Sequence, residues 1–301
     1  MKIFKNKKII IATGGTGGHV FPAYSLAKYL QKNFFSIEVI TDKRGLKFLK
    51  KYKGLKLIVN NSSTIFKKNI YNIFLSACLV IFSFLKSLII LNKSKPLLVF
   101  GMGGYSSFPV CMAAKFLKIP FIIYENNLLL GKSNKYLLPY AHKILIAYPE
   151  LEGILKKHNH KKVITGNILR EEILNFKKRK KRTRENKFNI LILGGSQAAK
   201  SFGDILPEIL NKCSKDGLKI RVFQQCTAGQ EKKIKREYNS PNIEHKLFSF
   251  SKNILEYFYK VDFVITRSGS SIISELLNCN IPFVSIPYPY AADNHQEKNA
   301  I

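Results

Sequence analysis

Three glycine-rich loops constrain this chain more than any other feature, because each directly follows a short apolar run and precedes a helix-length segment. They are residues 13–19 (TGGTGGH), 101–105 (GMGGY) and 194–201 (GGSQAAKS). Apolar runs short enough to be buried strands fall at residues 9–12, 37–41, 55–59, 97–100, 121–124 and 144–147. A second series falls at 190–193, 220–224, 243–247, 263–266 and 283–286. Strands spaced by helix-length segments define βαβ units and parallel sheets. Between the two series lies Lys177-Lys178-Arg179-Lys180-Lys181-Arg182, a like-charge run that repels itself and belongs in solvent, as a linker or helix end. A length of 301 residues suits two domains. The expected architecture is α/β, with two Rossmann-like doubly wound domains at residues 1–168 and 169–301.

Composition narrows the class. With 46% hydrophobic and 23% charged residues the chain can build real cores, which excludes a disordered tail, a collagen-like fibre and a disulfide-stapled miniprotein. Fifty Lys and Arg against 19 Asp and Glu give a formal charge of +31. Such an excess attracts polyanions: nucleic acid, anionic lipid headgroups or phosphorylated substrates. Lys, Asn and Ile are abundant throughout, so compositional drift of a whole genome explains the charge equally well, and charge alone does not name the partner. Cys78, Cys111, Cys213, Cys226 and Cys279 are odd in number and include no C-x-x-C pair, which fits reduced thiols of a cytosolic protein. The basic start followed by an apolar run resembles a secretion signal, but the run breaks into glycines and reads as a first buried strand.

Residues 73–85 (IFLSACLVIFSFL) are almost wholly apolar and are followed by Lys86 and Ser-Leu-Ile-Ile-Leu, with Lys67, Lys68, Lys93 and Lys95 nearby. The uninterrupted part is shorter than the roughly 20 residues that span a bilayer. A helix buried against the sheet is the plain structural reading, and an interfacial helix with basic flanks is the functional one; a transmembrane span comes third.

Glycines let a backbone approach a ligand closely, and a following helix N-terminus aims its N–H groups at an anion. In the first loop, Gly15 and Gly17 begin a dinucleotide fingerprint that fails at Val20, and Asp42 stands where a ribose-binding acid would sit. The second loop signals another close approach. The third resembles a phosphate-binding G-x-x-x-x-G-K-[ST] loop, but Ala199 replaces the second glycine, so a loop-to-helix diphosphate site is a better description than an ATPase. Further on, Arg267-Ser268-Gly269-Ser270-Ser271 opens a helix that carries Glu275. That carboxylate is suited to a ribose diol; the plain alternative makes Ser270 or Ser271 an N-cap and Glu275 a solvated residue.

Seven motifs in order, GGTGGHVFPA at 14–23, GMGGY at 101–105, YENN at 124–127, GN-x-x-R at 166–170, GGSQ at 194–197, RSG…SE at 267–275 and DNHQ-x-x-NA at 293–300, closely resemble one bacterial enzyme family over essentially the whole chain. It is the family of UDP-N-acetylglucosamine–N-acetylmuramyl-(pentapeptide) pyrophosphoryl-undecaprenol N-acetylglucosamine transferases. The resemblance implies a glycosyltransferase-B fold, with the active site between two Rossmann-like domains. It implies inverting transfer of GlcNAc from UDP-GlcNAc to lipid I, the undecaprenyl-pyrophosphoryl-MurNAc-pentapeptide, forming lipid II for peptidoglycan. No cofactor and no bound metal are implied, and the enzyme is expected on the cytoplasmic face of the inner membrane, held peripherally at an anionic surface. The local chemistry is compatible, since inversion needs a base for the acceptor hydroxyl and dipoles for the leaving diphosphate.

Carried over by the resemblance, the catalytic base falls on His19 and donor contacts fall on Thr16, Gly17 and Gly18. Donor contacts continue at Asn127 toward the sugar, Arg170, Ser196 at the diphosphate, and Glu275 at the ribose. Gln296 meets the GlcNAc hydroxyls, and Ser270, Ser271, Ile272, Ile273 and Ser274 line the nucleotide beside Glu275. Ser251 corresponds to a residue whose backbone contacts uracil. The chain departs from the family where HEQN becomes YENN and GGSQGA becomes GGSQAA, and in stopping at Ile301, before elements that close the second domain in family members. UDP-GlcNAc epimerases and other lipid glycosyltransferases share the fold and compete with this reading. A basic nucleic-acid-binding protein would explain the charge but not three glycine loops at strand ends, so no nucleic-acid partner is expected.

Overall fold

The computed structural model describes residues 7–33, 35–50, 52–61, 70–177, 186–227, 229–249, 251, 253–289 and 294–300. The chain divides into two compact units, residues 1–170 and 171–301. Most of the basic run at 177–182 lies outside the described residues.

The first unit runs β1 (Lys8–Ala12), α1 (Gly17–Lys32), β2 (Ser36–Thr41), α2 (Lys43–Leu49), β3 (Lys56–Val59), α3 (Ile70–Ser94), β4 (Leu98–Gly101), α4 (Ser107–Phe116), β5 (Phe121–Glu125), α5 (Lys132–Leu137), β6 (Lys143–Ile146) and β7 (Lys162–Ile164). Its sheet has the order β3-β2-β1-β4-β5-β6-β7, and every pairing is parallel. Continuous apolar runs form these strands because both faces are covered. Successive side chains of β1 point to opposite faces. Ile10 and Ala12 join Val99, Ile123 and Ile144 beneath Leu91, Val110 and Leu137. Ile9 and Ile11 join Val39, Phe100 and Tyr124 beneath Val20, Ala23, Ala27 and Leu49. Six strands stand within a residue of their expected positions. The seventh, β7, is only three residues long, follows a 3₁₀ turn at Lys156–Lys161, and exposes Val163 and Ile164, so no buried pattern announces it.

The second unit runs α6 (Glu171–Leu174), β8 (Phe188–Leu193), α7 (Gly195–Lys215), β9 (Ile220–Gln225), α8 (Glu231–Glu237), β10 (Ile243–Phe248), α9 (Leu255–Phe258), β11 (Phe263–Arg267), α10 (Ser270–Asn278), β12 (Phe283–Ile286) and α11 (His295–Lys298). Its parallel order is β10-β9-β8-β11-β12. Phe202, Leu206 and Leu210 recur at helical spacing along α7 and cover Ile190, Ile192 and Val222.

The apolar segment 73–85 departs from the plain reading of a buried helix. It belongs to α3, a single helix of 25 residues. Its inward face mixes serines with apolar side chains: Ser76, Ser83 and Ser87 are fully buried, while Leu91 is buried in the core and Phe84 and Leu88 pack against it. Asn60 Nδ2 donates to the Ser83 carbonyl at 2.9 Å and to Ser87 Oγ at 2.8 Å. Lys86 Nζ reaches the Val59 carbonyl at 2.9 Å, and Ser94 Oγ donates to Glu38 at 2.9 Å. The outward face is apolar, with Phe74, Leu75, Leu79, Phe82 and Leu85 all exposed, Phe74 and Phe82 to 66% and 65%. Beside it on α4, exposed Phe116 packs edge-on to Phe84 at 6.3 Å. Contiguous exposed apolar surface of this kind marks an interaction site.

Candidate active site

In the first unit the strand order reverses between β1 and β4, neighbours whose connections leave in opposite directions. Ligands of doubly wound sheets bind outside the carboxyl ends of the strands at that point, and two of the glycine loops sit there. Met102 N–H donates to the Ala12 carbonyl at 2.9 Å and joins the loops at their base. His19 stands in the first turn of α1, partly exposed, and Thr13 Oγ1 donates to its carbonyl at 3.0 Å. Its imidazole rests on the second loop. Gly103 and Gly104 have φ of 81° and 74°, and a Cβ on Gly103 would stand 3.0 Å from His19 Nδ1 and Cε1. On Gly104 it would stand 3.3 Å from His19 Cδ2. The close approach expected of the GMGGY loop is therefore first an approach to the histidine. Gly103→Ala is expected to cost about 1–2 kcal/mol from the left-handed backbone alone and to push the imidazole aside. Thermal unfolding and turnover measured together should both fall; unchanged turnover would show that the contact does not set the imidazole.

Asp42 follows β2, where a ribose-binding acid of a dinucleotide site would stand, and its carboxylate is held by the protein's own backbone. It is buried, caps α2 by accepting Gly45 N–H at 2.7 Å, and accepts Gly15 N–H at 3.0 Å from the first glycine loop. Burial pushes its carboxyl up, but the Gly15 and Gly45 N–H groups and the Arg44 guanidinium outweigh this and hold it below the usual carboxylate range. The loop bond is thus stabilising above the ordinary carboxylate pKa and is lost as pH falls through the depressed folded value. Asn126 adds a second tie by donating to the Gly18 carbonyl at 3.2 Å.

Glu125 organises the loop after β5. Its Oε1 accepts from Asn127 N at 3.2 Å and Nδ2 at 2.9 Å; its Oε2 accepts from Gly131 N at 3.0 Å and Asn134 Nδ2 at 2.9 Å. The Asn127 amide is oriented by this carboxylate. Arg170 closes the unit with its guanidinium 5.6 Å from the Phe21 ring on α1. Thr16 stands exposed as the N-cap of α1, followed by Gly17 and Gly18. Thr16, Gly17, Gly18, His19, Asn127 and Arg170 thus all belong to the first unit.

In the second unit the order reverses between β8 and β11. The α7 helix starts at Gly195, whose N–H donates to Gln225 Oε1 at 3.1 Å. Ser196 lies in its first turn, with its side chain outside the described residues. Across the switch, α10 starts at Ser270 with Gly269 as N-cap, so neither Ser270 nor Ser271 takes that place. Glu275 is 7% exposed, unlike a solvated helix residue. Ser270 and Ile273 are buried, while Ser271, Ile272 and Ser274 are partly exposed. Gln296 Oε1 accepts Tyr288 N–H at 2.9 Å, and Asn299 Nδ2 donates to the Ser268 carbonyl at 3.2 Å, which brings α11 to the start of α10. Ser251 follows β10 and is partly exposed.

Sequence reasoning placed Arg267 in a motif but gave it no role. It donates to Ser201 Oγ and to the Pro287 carbonyl at 3.0 Å, and lies 4.2 Å from the Phe202 ring centroid. It joins the first turns of α7 to the segment after β12. Ser201, the hydroxyl of the phosphate-loop-like motif, is thereby bound to an arginine. The signal was the arginine ending an otherwise apolar strand.

Two doubly wound parallel sheets, each with glycine loops feeding helix N-termini at its switch point, define a two-domain α/β protein whose loops suit anionic ligands. Residues 9–146 match the model of the glycosyltransferase family 28 N-terminal domain, and residues 189–301 that of its C-terminal domain. The chain belongs to glycosyltransferase family 28. A relative from Pelagibacter ubique (strain HTCC1062), named UDP-N-acetylglucosamine–N-acetylmuramyl-(pentapeptide) pyrophosphoryl-undecaprenol N-acetylglucosamine transferase, is 36% identical, over 98% of this chain and 81% of its own. A relative of the same name from Rickettsia canadensis (strain McKiel) is 38% identical, over 98% of this chain and 82% of its own. The crystal structure of Acinetobacter baumannii MurG superposes with a TM-score of 0.72 at 26% identity, covering 98% of this chain and 81% of that one. The fold is accordingly of the glycosyltransferase-B class.

Proposed function

We propose that this chain transfers GlcNAc from UDP-GlcNAc to undecaprenyl-pyrophosphoryl-MurNAc-pentapeptide, with inversion at the anomeric carbon. The observation that carries the reading is the His19 imidazole, seated on Gly103 and Gly104 at the switch point, in a chain whose curated relatives are named for this transfer. His19 takes the proton of the acceptor hydroxyl as its oxygen attacks the anomeric carbon. The bond from that carbon to the diphosphate breaks, and UDP leaves with the electron pair. The N-termini of α7 and α10 and the amides of their glycine turns meet that charge, which leaves no step that requires a metal. Glu275 receives the ribose hydroxyls, Ser196 the diphosphate, and Asn127, Arg170 and Gln296 the sugar and phosphate groups.

Titration calorimetry tests the donor assignment. UDP-GlcNAc is expected to bind more tightly than UDP-galactose, and RNA not to compete at physiological salt; equal affinity for both sugars would remove the assignment. Glu275→Ala is expected to weaken UDP about tenfold, as befits loss of a charge-assisted hydrogen bond of about 1.5–3 kcal/mol, with the fold retained. Unchanged UDP affinity in that variant would take the ribose away from Glu275.

The acceptor carries a polyprenyl anchor, so its reacting hydroxyl stays near the headgroups and the enzyme works at the membrane surface. Helix α3 follows β3 and therefore starts at the carboxyl edge of the sheet, the edge that bears the glycine loops. Its exposed Phe74, Leu75, Leu79, Phe82 and Leu85 dip into the interface. Nearby lysines contribute about 1 kcal/mol each against anionic headgroups; Lys67 and Lys68 lie outside the described residues. By length and composition α3 would also cross a membrane. Attachment at the surface is favoured because Ser83 and Ser87 are bonded to Asn60 and Leu91 is packed in the core. Flotation with anionic vesicles is expected at low salt and to be lost in high salt; retention through alkaline carbonate would indicate a span.

A further inference from the structure

Tyr124 stands where the resembled family has the histidine of HEQN, and its surroundings give the tyrosine a use. It lies in β5 at 2% exposure. Its hydroxyl accepts the Ile168 N–H at 3.0 Å and donates to Asn167 Oδ1 at 3.3 Å. Asn167 Nδ2 donates in turn to the Tyr148 hydroxyl at 3.1 Å. One phenol proton and one phenol lone pair are used, so the Tyr124 hydroxyl is satisfied in this part-buried network. Gly166, at a φ of 73°, turns the chain into the tether, and the Ile168 side chain packs into the core that covers Ile11 and Phe100. Two residues further on is Arg170, its guanidinium over Phe21 in the helix that also carries His19.

We propose that Tyr124 is a positioning residue for Arg170. Its hydroxyl fixes residues 167–168, and so holds the guanidinium over the first turns of α1, ready for the negative charge of the sugar-nucleotide donor. This inference rests on the donor reading given above. Its chemistry is that of a rivet: a phenylalanine has the same ring but removes the hydroxyl that accepts the Ile168 N–H and donates to Asn167 Oδ1.

The test is a double-mutant cycle with Tyr124→Phe and Arg170→Ala, read as KM for UDP-GlcNAc at saturating acceptor. Tyr124→Phe is expected to raise KM about tenfold, the scale of one hydrogen bond, with kcat within about twofold and the pH profile unmoved. In the Arg170→Ala background it is expected to add nothing. A folded Tyr124→Phe enzyme with unchanged KM, a kcat loss without a KM change, or effects that multiply would each overturn the proposal. Should Tyr124→Phe fail to fold, Asn167→Ala opens the tether from its other end and is judged by the same outcomes. If the wild type does not transfer GlcNAc, the donor reading fails, and the same cycle read as UDP affinity by calorimetry still decides whether Tyr124 acts through Arg170.

Discussion

His19→Ala is expected to lower turnover by about 10²–10⁴-fold, the usual worth of a positioned general base, while UDP affinity changes little. The separation follows from where the residue stands. His19 lies in the first unit, on the switch-point turn of α1, whereas Ser196, Ser270 and Glu275 belong to the second unit. The backbone around His19 should survive the change, because its carbonyl bond from Thr13 and the ties of Asp42 and Asn126 use no imidazole atom. Steady-state kinetics on the variant, paired with UDP calorimetry, give the answer. Near-normal turnover would reduce His19 to a packing partner of Gly103.

The second large effect is on membrane attachment. Phe74 and Phe82 are each about two-thirds exposed on α3, and full burial of such a side chain is worth about 1.5–3 kcal/mol. Replacing both by aspartate is expected to weaken partition into anionic vesicles by about 10²-fold or more, since it also places negative charge against anionic headgroups. Thermal stability should be nearly unchanged or should rise, because neither ring belongs to the core clusters of the first unit. Cosedimentation of the double variant, alongside its melting curve, reads both quantities. Undiminished vesicle binding would assign attachment to another surface; collapse of the fold would return α3 to the core.

The strands were legible because burial on both faces writes them as unbroken apolar runs, as in β1 and β8. β7 was not, since three residues at an exposed edge carry no such run. The sequence of α3 holds the right stripe, with Ser76, Ser83 and Ser87 recurring on one face. The ordinary rule, apolar side inward, holds for Phe84, Leu88 and Leu91 but not for Phe74, Leu75, Leu79, Phe82 and Leu85, which stay exposed. The full burial of these serines, and the two hydrogen bonds that hold Asn60 against Ser83 and Ser87, show that the stripe faces inward. The glycine loops were legible as close-approach sites, yet what approaches Gly103 is His19, a pairing made by the β1–β4 adjacency and invisible to local spacing. Asp42 shows the converse. An acid after the second strand fits a ribose ligand by position, and the structure spends it on two backbone N–H groups.

The most direct measurement of the central claim is the transfer itself. The purified chain is given labelled UDP-GlcNAc and a synthetic polyprenyl-pyrophosphoryl-muramyl-pentapeptide in detergent micelles, with UDP release and the lipid product followed together. The account predicts one UDP released for each β-linked GlcNAc joined to the acceptor, with no product from UDP-galactose and almost none from His19→Ala. Conversion of UDP-GlcNAc to its 2-epimer, or transfer that persists undiminished in His19→Ala, would contradict it.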